Sequence, residues 1–452
     1  MAILLEKCQI QPSPETHQEL SLPLIHFDIP FLKSDPTQRL LFFNFPCSKS
    51  HFLETIVPDL KKSLASTLSQ FLPLAGKIIL PSNSERPTIH YISGDSVPLK
   101  IVQCDKDFNY LTKNHQRVAD EFYTCVPELP PVTRSFNSVS IPVTSLQITL
   151  FQEQGICIGL TNYHAICDEC SIVNFLKSWA LFNKSGLREK NLLPFYERAT
   201  VQDPEGLDSM AWNLVKKSRP FPVEKNAQEI QAVPLNKVRS TFIITKPDVE
   251  KLKKYVLNKL PNCRHVSSFT VICAFIWTCL EISLAETGEN VNENDPVYFP
   301  FAAECRVRLH PTPLPSTYFG NCVVFVTAKS EHGKLKGKEG FLIAAEAIGE
   351  AIRKTVYSEK GILNGSDWPV VFGRYKGNRV VSVAGSPRFD VYEVDFGWGM
   401  PNKYEFVHLD SDRSISLCKS RDFEGGFEIG LSRTKIEMDG FGVAFNRVLE
   451  MI

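Results

Sequence analysis

A histidine and an aspartate four residues apart, His164 and Asp168 in the run His-Ala-Ile-Cys-Asp, stand where an apolar segment gives way to a helical one. Histidine suits proton transfer, because its ordinary pKa near 6.5 leaves it neutral and basic around pH 7. Such a base takes the proton from an attacking hydroxyl as the new bond forms. That is worth roughly 10²–10⁴-fold in rate and needs no covalent enzyme intermediate. Asp168 has two readings. If the segment is helical throughout, Asp168 shares a face with His164 and orients its ring. If a strand turns into a helix here, that geometry is lost and Asp168 pairs with a cation to hold the loop. The spacing alone is unspecific. His408 and Asp412 repeat it in a polar, turn-rich segment that reads as a solvated loop.

Two further motifs are architectural on their face. Asp395-Phe396-Gly397-Trp398-Gly399 places two glycines around a large ring, which permits a sharp turn anchored by the tryptophan. Tyr318-Phe319-Gly320-Asn321-Cys322 follows a proline-rich run and leads into the strand-like stretch 323–327.

The elements that must position these residues alternate between strand and helix. Residues 145–150 and 155–163 are β-rich runs separated by a turn, and 169–182 follows with Ile172, Phe175, Leu176 and Trp179 at helical spacing. Residues 52–72 are helical in period. Apolar periodicity fades between about 183 and 238, and a strand followed by a helix restarts at 240. The chain therefore divides into a first domain over 1–185 that carries His164, a crossover over 186–238 and a second domain over 239–452. The apolar run 269–280 is too short to cross a bilayer and reads as a core helix.

The 452 residues include 50 Lys plus Arg and 50 Asp plus Glu, so no net field favours nucleic acid or an anionic membrane. An anionic ligand must be met by a local cluster. Cys167 and Cys170 are separated by two residues but have no second pair with which to form a metal site. The odd total of 13 cysteines, with no export signal at the start, points to a reducing cytoplasm. Every feature is satisfied by a soluble monomer.

The three motifs, in this order and spacing, resemble the plant BAHD acyl-CoA-dependent acyltransferases. Residues 22–28, 71–77 and 382–387 (Ser-Val-Ala-Gly-Ser-Pro) fit as well, so the likeness spans essentially the whole chain. It implies two similar α/β domains of the chloramphenicol-acetyltransferase-like type, joined by a long crossover with a solvent channel between them. It also implies that His164 is the base for attack of a hydroxyl on a thioester, with coenzyme A entering from one face and the acceptor from the other. Asp168 is then structural and pairs with an arginine, Arg308. The loop of Asp395, Gly397, Trp398 and Gly399 lies away from the base and shapes the channel, with Trp398 near the oxyanion. Arg39, Lys253, Ser267 and Ser268 match positions that would meet the phosphates of coenzyme A. No cofactor is bound permanently, and acyl-CoA is a co-substrate. The motif combination looks most like the clade that moves malonyl from malonyl-CoA to the 6-hydroxyl of a flavonoid or other phenolic glucoside. Hydroxycinnamoyl transfer and a catalytically silent binding paralogue are the alternatives. Two departures stand out: Glu169 replaces the family's glycine, and Glu304 replaces its aspartate.

Overall fold

The computed structural model describes all residues except 1, 14–18, 84, 204, 225–235, 262, 264, 265, 287–290, 359–374, 376 and 413. Part of the crossover expected over 186–238 therefore lies outside the described residues.

The first lobe is built on a six-stranded sheet. In spatial order its strands are Ala2–Ile10, Val97–Cys104, Thr144–Phe151, Gly155–Asn162, Thr37–Phe43 and Lys403–Phe406. Thr144–Phe151 and Gly155–Asn162 are buried along their whole length as central strands covered on both faces, although Thr144–Phe151 alternates polar with apolar residues and Gln147 Nε2 must find the Thr124 carbonyl at 2.8 Å. In Thr37–Phe43 the pleat sends Leu41 and Phe43 into one core cluster and Leu40 and Phe42 into another. The helix Glu169–Ser185 lays Ile172, Phe175, Leu176 and Trp179 on the first of these clusters. It starts at Asp168, whose side chain accepts a hydrogen bond from the Ser171 amide, and it stops at Gly186 with φ 69°.

The second lobe has an eight-stranded sheet, ordered Val323–Glu331, Pro296–Glu304, Val383–Ala384, Ile415–Lys419, Phe427–Thr434, Lys237–Ile244 and Arg117–Val118, with Arg379–Val380 as an extra partner of Pro296–Glu304. The helix Ser268–Glu286, longer than its apolar run suggested, is the central helix of this lobe's core.

Each half lends a strand to the other. Lys403–Phe406, from the second half, pairs antiparallel with Thr37–Phe43, and Arg117–Val118, from the first, pairs with Lys237–Ile244. The exchange buries charge. Arg117 Nη1 donates to Glu405 Oε1 at 2.6 Å and Arg239 Nε to Glu405 Oε2 at 3.3 Å. Arg239 Nη1 also reaches Asp410 Oδ1 at 2.7 Å. The segment after His408 is therefore not the solvated loop that its polar sequence suggested. Leu409 and Asp410 are fully buried, because Arg239 neutralises the aspartate inside the lobe contact.

Burial alone would push the Glu405 carboxyl up, but Arg117, then Arg239 and Lys403, outweigh it and hold the pKa at about 2, against an ordinary 4.5. A depressed carboxylate pKa contributes stability that is complete above about pH 4.5 and is lost as the pH falls towards 2. Glu405→Gln should therefore be less stable than the wild type at pH 7. In urea melts from pH 7 to pH 2, the gap between the two proteins should close on the acid side of pH 4.5.

Candidate active site

His164 sits in a tight turn at the end of the central strand Gly155–Asn162, just before the helix that Asp168 caps. Strand and helix are both rooted in the core, so the short link between them has little freedom. The ring stacks on Phe31 with centroids 3.9 Å apart and planes 3° from parallel. Nδ1 is enclosed, which leaves the Nε2 edge to meet a cavity of about 1450 Å³ that His164 helps to line. The His164 carbonyl accepts a hydrogen bond from Asn321 Nδ2 at 3.0 Å. Burial lowers the pKa of the imidazole below its usual value, and its own backbone carbonyl and Asp168 only partly oppose this. A neutral ring facing a cavity can accept a proton.

Asp168 is turned away from the ring and binds across the lobe boundary. Arg306 Nη1 donates to Asp168 Oδ2 at 2.8 Å and Nη2 to Oδ1 at 2.9 Å, a bidentate pair with both side chains almost fully buried. The same carboxylate accepts the Cys322 amide at 3.1 Å and the Ser171 amide at 3.2 Å. Burial works against the charge on Arg306, but Asp168 more than offsets it and raises the pKa well above normal.

The expected partner, Arg308, is corrected to Arg306. In the turn Arg306–Arg308 the two side chains diverge: Arg306 packs inward over the Tyr318 ring, whereas Arg308 donates to the Glu304 carbonyl at 2.7 Å and lines the cavity. Glu304 Oε1 accepts the Arg306 amide at 2.7 Å, so the longer side chain at this position still braces the turn.

The motif at Tyr318–Cys322 completes the bracket. Arg306 Nη2 donates to the carbonyls of Tyr318 at 3.0 Å and Gly320 at 3.1 Å. Asp28 Oδ1 receives both the amide and Nδ2 of Asn321 at 3.0 Å, and its other oxygen faces Arg198 at 3.3 Å. Gly320, at φ 147°, has no room for a Cβ, which would strike the Arg198 guanidinium. Asn321 thus ties the His164 backbone to this buried network.

The other expected site residues divide by position. Arg39, Ser267 and Ser268 line the cavity. Ser267 Oγ accepts the Thr270 amide at 3.1 Å, and the helix Ser268–Glu286 begins there, so its electropositive end opens at the cavity. Lys253 is not among the lining residues. It pairs instead with Glu250, at 3.1 Å on the same helix. Glu169 points into the cavity wall, accepting from Arg39 Nη2 at 2.7 Å and from the Tyr404 hydroxyl at 2.9 Å.

None of Asp395, Gly397, Trp398 and Gly399 lines the cavity, although Met400, the next residue, does. Asp395 Oδ1 accepts the amides of Gly397 and Gly399, each at 2.8 Å, and Lys184 reaches its other oxygen at 2.6 Å. The glycines take φ 100° and 85°, and the Trp398 ring lies 5.4 Å from both Phe43 and Phe45. The aromatic rings prefer the first lobe's apolar surface to the open cavity. The loop is a clamp that delivers the exchanged strand Lys403–Phe406 to the edge of Thr37–Phe43.

Sequence reasoning missed Arg306, Phe31, Arg198 and Tyr404 as neighbours of the site. Arg306 stood two positions from the residue chosen, but nothing in Arg-Val-Arg says which arginine turns inward.

A family model described as the Transferase family matches residues 3–447. The chain belongs to this family, as a BAHD acyltransferase. It is 44% identical to phenolic glucoside malonyltransferase 1 of Nicotiana tabacum over 92% of each chain. With a malonyl-coenzyme:anthocyanin 5-O-glucoside-6'''-O-malonyltransferase of Salvia splendens it shares 40% identity over 98% of this chain and 94% of that one. In fold it resembles the crystal structure of vinorine synthase, with a TM-score of 0.70, 97% and 96% coverage and 20% identity.

Removing charge from one side of a buried ion pair leaves the other uncompensated, at about 3–5 kcal/mol. Asp168→Asn should destabilise the protein by that order in denaturant melts, with poor soluble yield. A variant of wild-type stability that lacks activity would point instead to a direct role in proton transfer.

Proposed function

We propose that the chain transfers a malonyl group from malonyl-CoA to a sugar hydroxyl, the 6-hydroxyl, of a flavonoid or other phenolic glucoside. One observation carries the chemistry: a half-buried imidazole of lowered pKa presents its open edge to a cavity that also meets a helix N-terminus and Arg308. The choice of donor and acceptor is supported by the two malonyltransferase relatives.

In this reading the acceptor hydroxyl attacks the thioester carbonyl while His164 Nε2 takes its proton. The tetrahedral intermediate collapses with cleavage of the C–S bond. The imidazolium returns the proton to the leaving thiolate, which regenerates the base and releases free coenzyme A. The start of Ser268–Glu286 offers backbone N–H groups to a phosphate of coenzyme A. The 13 cysteines are all free thiols, in keeping with action in a reducing cytoplasm.

A screen of malonyl-CoA and coumaroyl-CoA against phenolic glucosides, read by product mass and thiol release, tests the assignment. A malonyl ester on the sugar is the expected product. Coumaroyl esters alone would replace the donor, and no thiol release with any donor would indicate a binding protein. His164→Ala should lower turnover by about 10²–10⁴-fold while coenzyme A still binds. Because the ring is neutral in its site, the acid limb of the kcat/KM profile should have its midpoint below pH 6.5.

A further inference from the structure

The wall beside His164 holds a cation that this chemistry leaves unused. Arg39 is 2% exposed yet lines the cavity, and it is near enough to His164 to act on the imidazole's charge. Its guanidinium is fixed from its own sheet. Nη1 donates to Asn162 Oδ1, Nη2 lies 3.4 Å from Thr37 Oγ1, and the Phe406 ring is 5.7 Å from the guanidinium carbon. Nε is enclosed without a hydrogen-bond partner. Among the described residues, the carboxylate paired with this cation is that of Glu169, through Oε2 at 2.7 Å.

Glu169 is held far less firmly. It is the first residue of its helix, its side chain is 16% exposed, and it too lines the cavity. Its hydrogen bonds are those from Arg39 and from the Tyr404 hydroxyl. A buried guanidinium stripped of its carboxylate is strongly unfavourable, so this corner requires one anion at all times. It has room for either the protein's carboxylate or a ligand's.

We propose that Arg39 recognises the free carboxylate of the acyl group, and that Glu169 fills that place until the donor arrives. The inference rests on the malonyl reading above and deepens it. The end of a glutamate side chain and the free end of a malonyl thioester are the same functional group, so Glu169 occupies the acyl subsite as an internal surrogate. When malonyl-CoA enters, Glu169 swings toward the open cavity, and Arg39 exchanges one carboxylate for another. A neutral acyl group offers nothing to exchange and leaves the Arg39–Glu169 pair closed. Arg39 is thus assigned to the acyl end of the donor rather than to its phosphates. Its deep, carboxylate-filled position is unsuited to a bulky, hydrated phosphate.

Steady-state kinetics of the full-length protein with malonyl-CoA and acetyl-CoA, on one glucoside acceptor, test the exchange through the ratio of the two kcat/KM values. Arg39→Gln should lower the malonyl-to-acetyl ratio by about 10–100-fold, the worth of a hydrogen bond to a charged group. Glu169→Gln keeps the shape but removes the competing charge, so it should raise the ratio, chiefly through a lower KM for malonyl-CoA. An Arg39→Gln protein that loses both donors in equal measure overturns the proposal, as does a Glu169→Gln protein with an unchanged ratio. The two variants should move the ratio in opposite directions, so each decides the question if the other fails to fold, and Glu169→Gln, which leaves Arg39 without its carboxylate, is assayed with malonyl-CoA present throughout purification. Wild-type protein that turns over acetyl-CoA or coumaroyl-CoA but not malonyl-CoA would sink the donor assignment and this inference together. An unmoved ratio in a wild-type malonyltransferase would sink the inference alone.

Discussion

The bidentate contact between Arg306 and Asp168 is the interaction on which the site depends. One carboxylate starts the helix after His164, receives the Cys322 amide and neutralises an arginine from the opposite lobe. The arginine in turn holds the carbonyls of Tyr318 and Gly320. Asn321 is fixed by this turn and fastens the His164 carbonyl. The base is therefore positioned by both lobes at once. Two buried charges of opposite sign, each with further hydrogen bonds, tolerate the low-dielectric interior only in this geometry. Any shift between the lobes is felt at the imidazole.

The spacing of four between His164 and Asp168 consequently serves a purpose other than a triad. A triad needs the carboxylate on the ring. Here the strand ends, the chain turns at His164, and Asp168 becomes the helix cap with its oxygens aimed elsewhere. The surroundings instead keep the ring in its neutral, proton-accepting form: Phe31 against one face, an enclosed Nδ1, and burial that disfavours the charged form.

Much of this was legible in the residue order. The β-rich runs at 145–150 and 155–163 are the central strands, and the periodic stretch after them is the helix that Asp168 caps. His164 at their junction was therefore visible as a candidate. What failed depended on contacts made at long range. Arg306 and Arg308 are equivalent until tertiary packing turns one inward. The polar look of 408–412 hid Asp410, because its partner Arg239 lies far away in the sequence. The aromatic rings of the loop at 395–399 settle on Phe43 and Phe45, while Met400, just after it, reaches the cavity. Lys253 pairs with Glu250 on its own helix and stands outside the cavity lining. Local pattern specifies local structure, while the side on which a charged group ends is settled by the other end of the chain.

The strand exchange has a consequence for how the molecule comes into being. Thr37–Phe43 emerges early from the ribosome, but its outer neighbour Lys403–Phe406 lies some nine-tenths of the way along the message. Until then the nascent sheet carries a raw edge, with Leu40 and Phe42 beside it, open to pairing with other chains. The closing contact spans more than three hundred residues, and so distant a pairing forms slowly. A truncated translation product would lack that seal, and its first lobe would be an aggregation-prone fragment rather than half an enzyme.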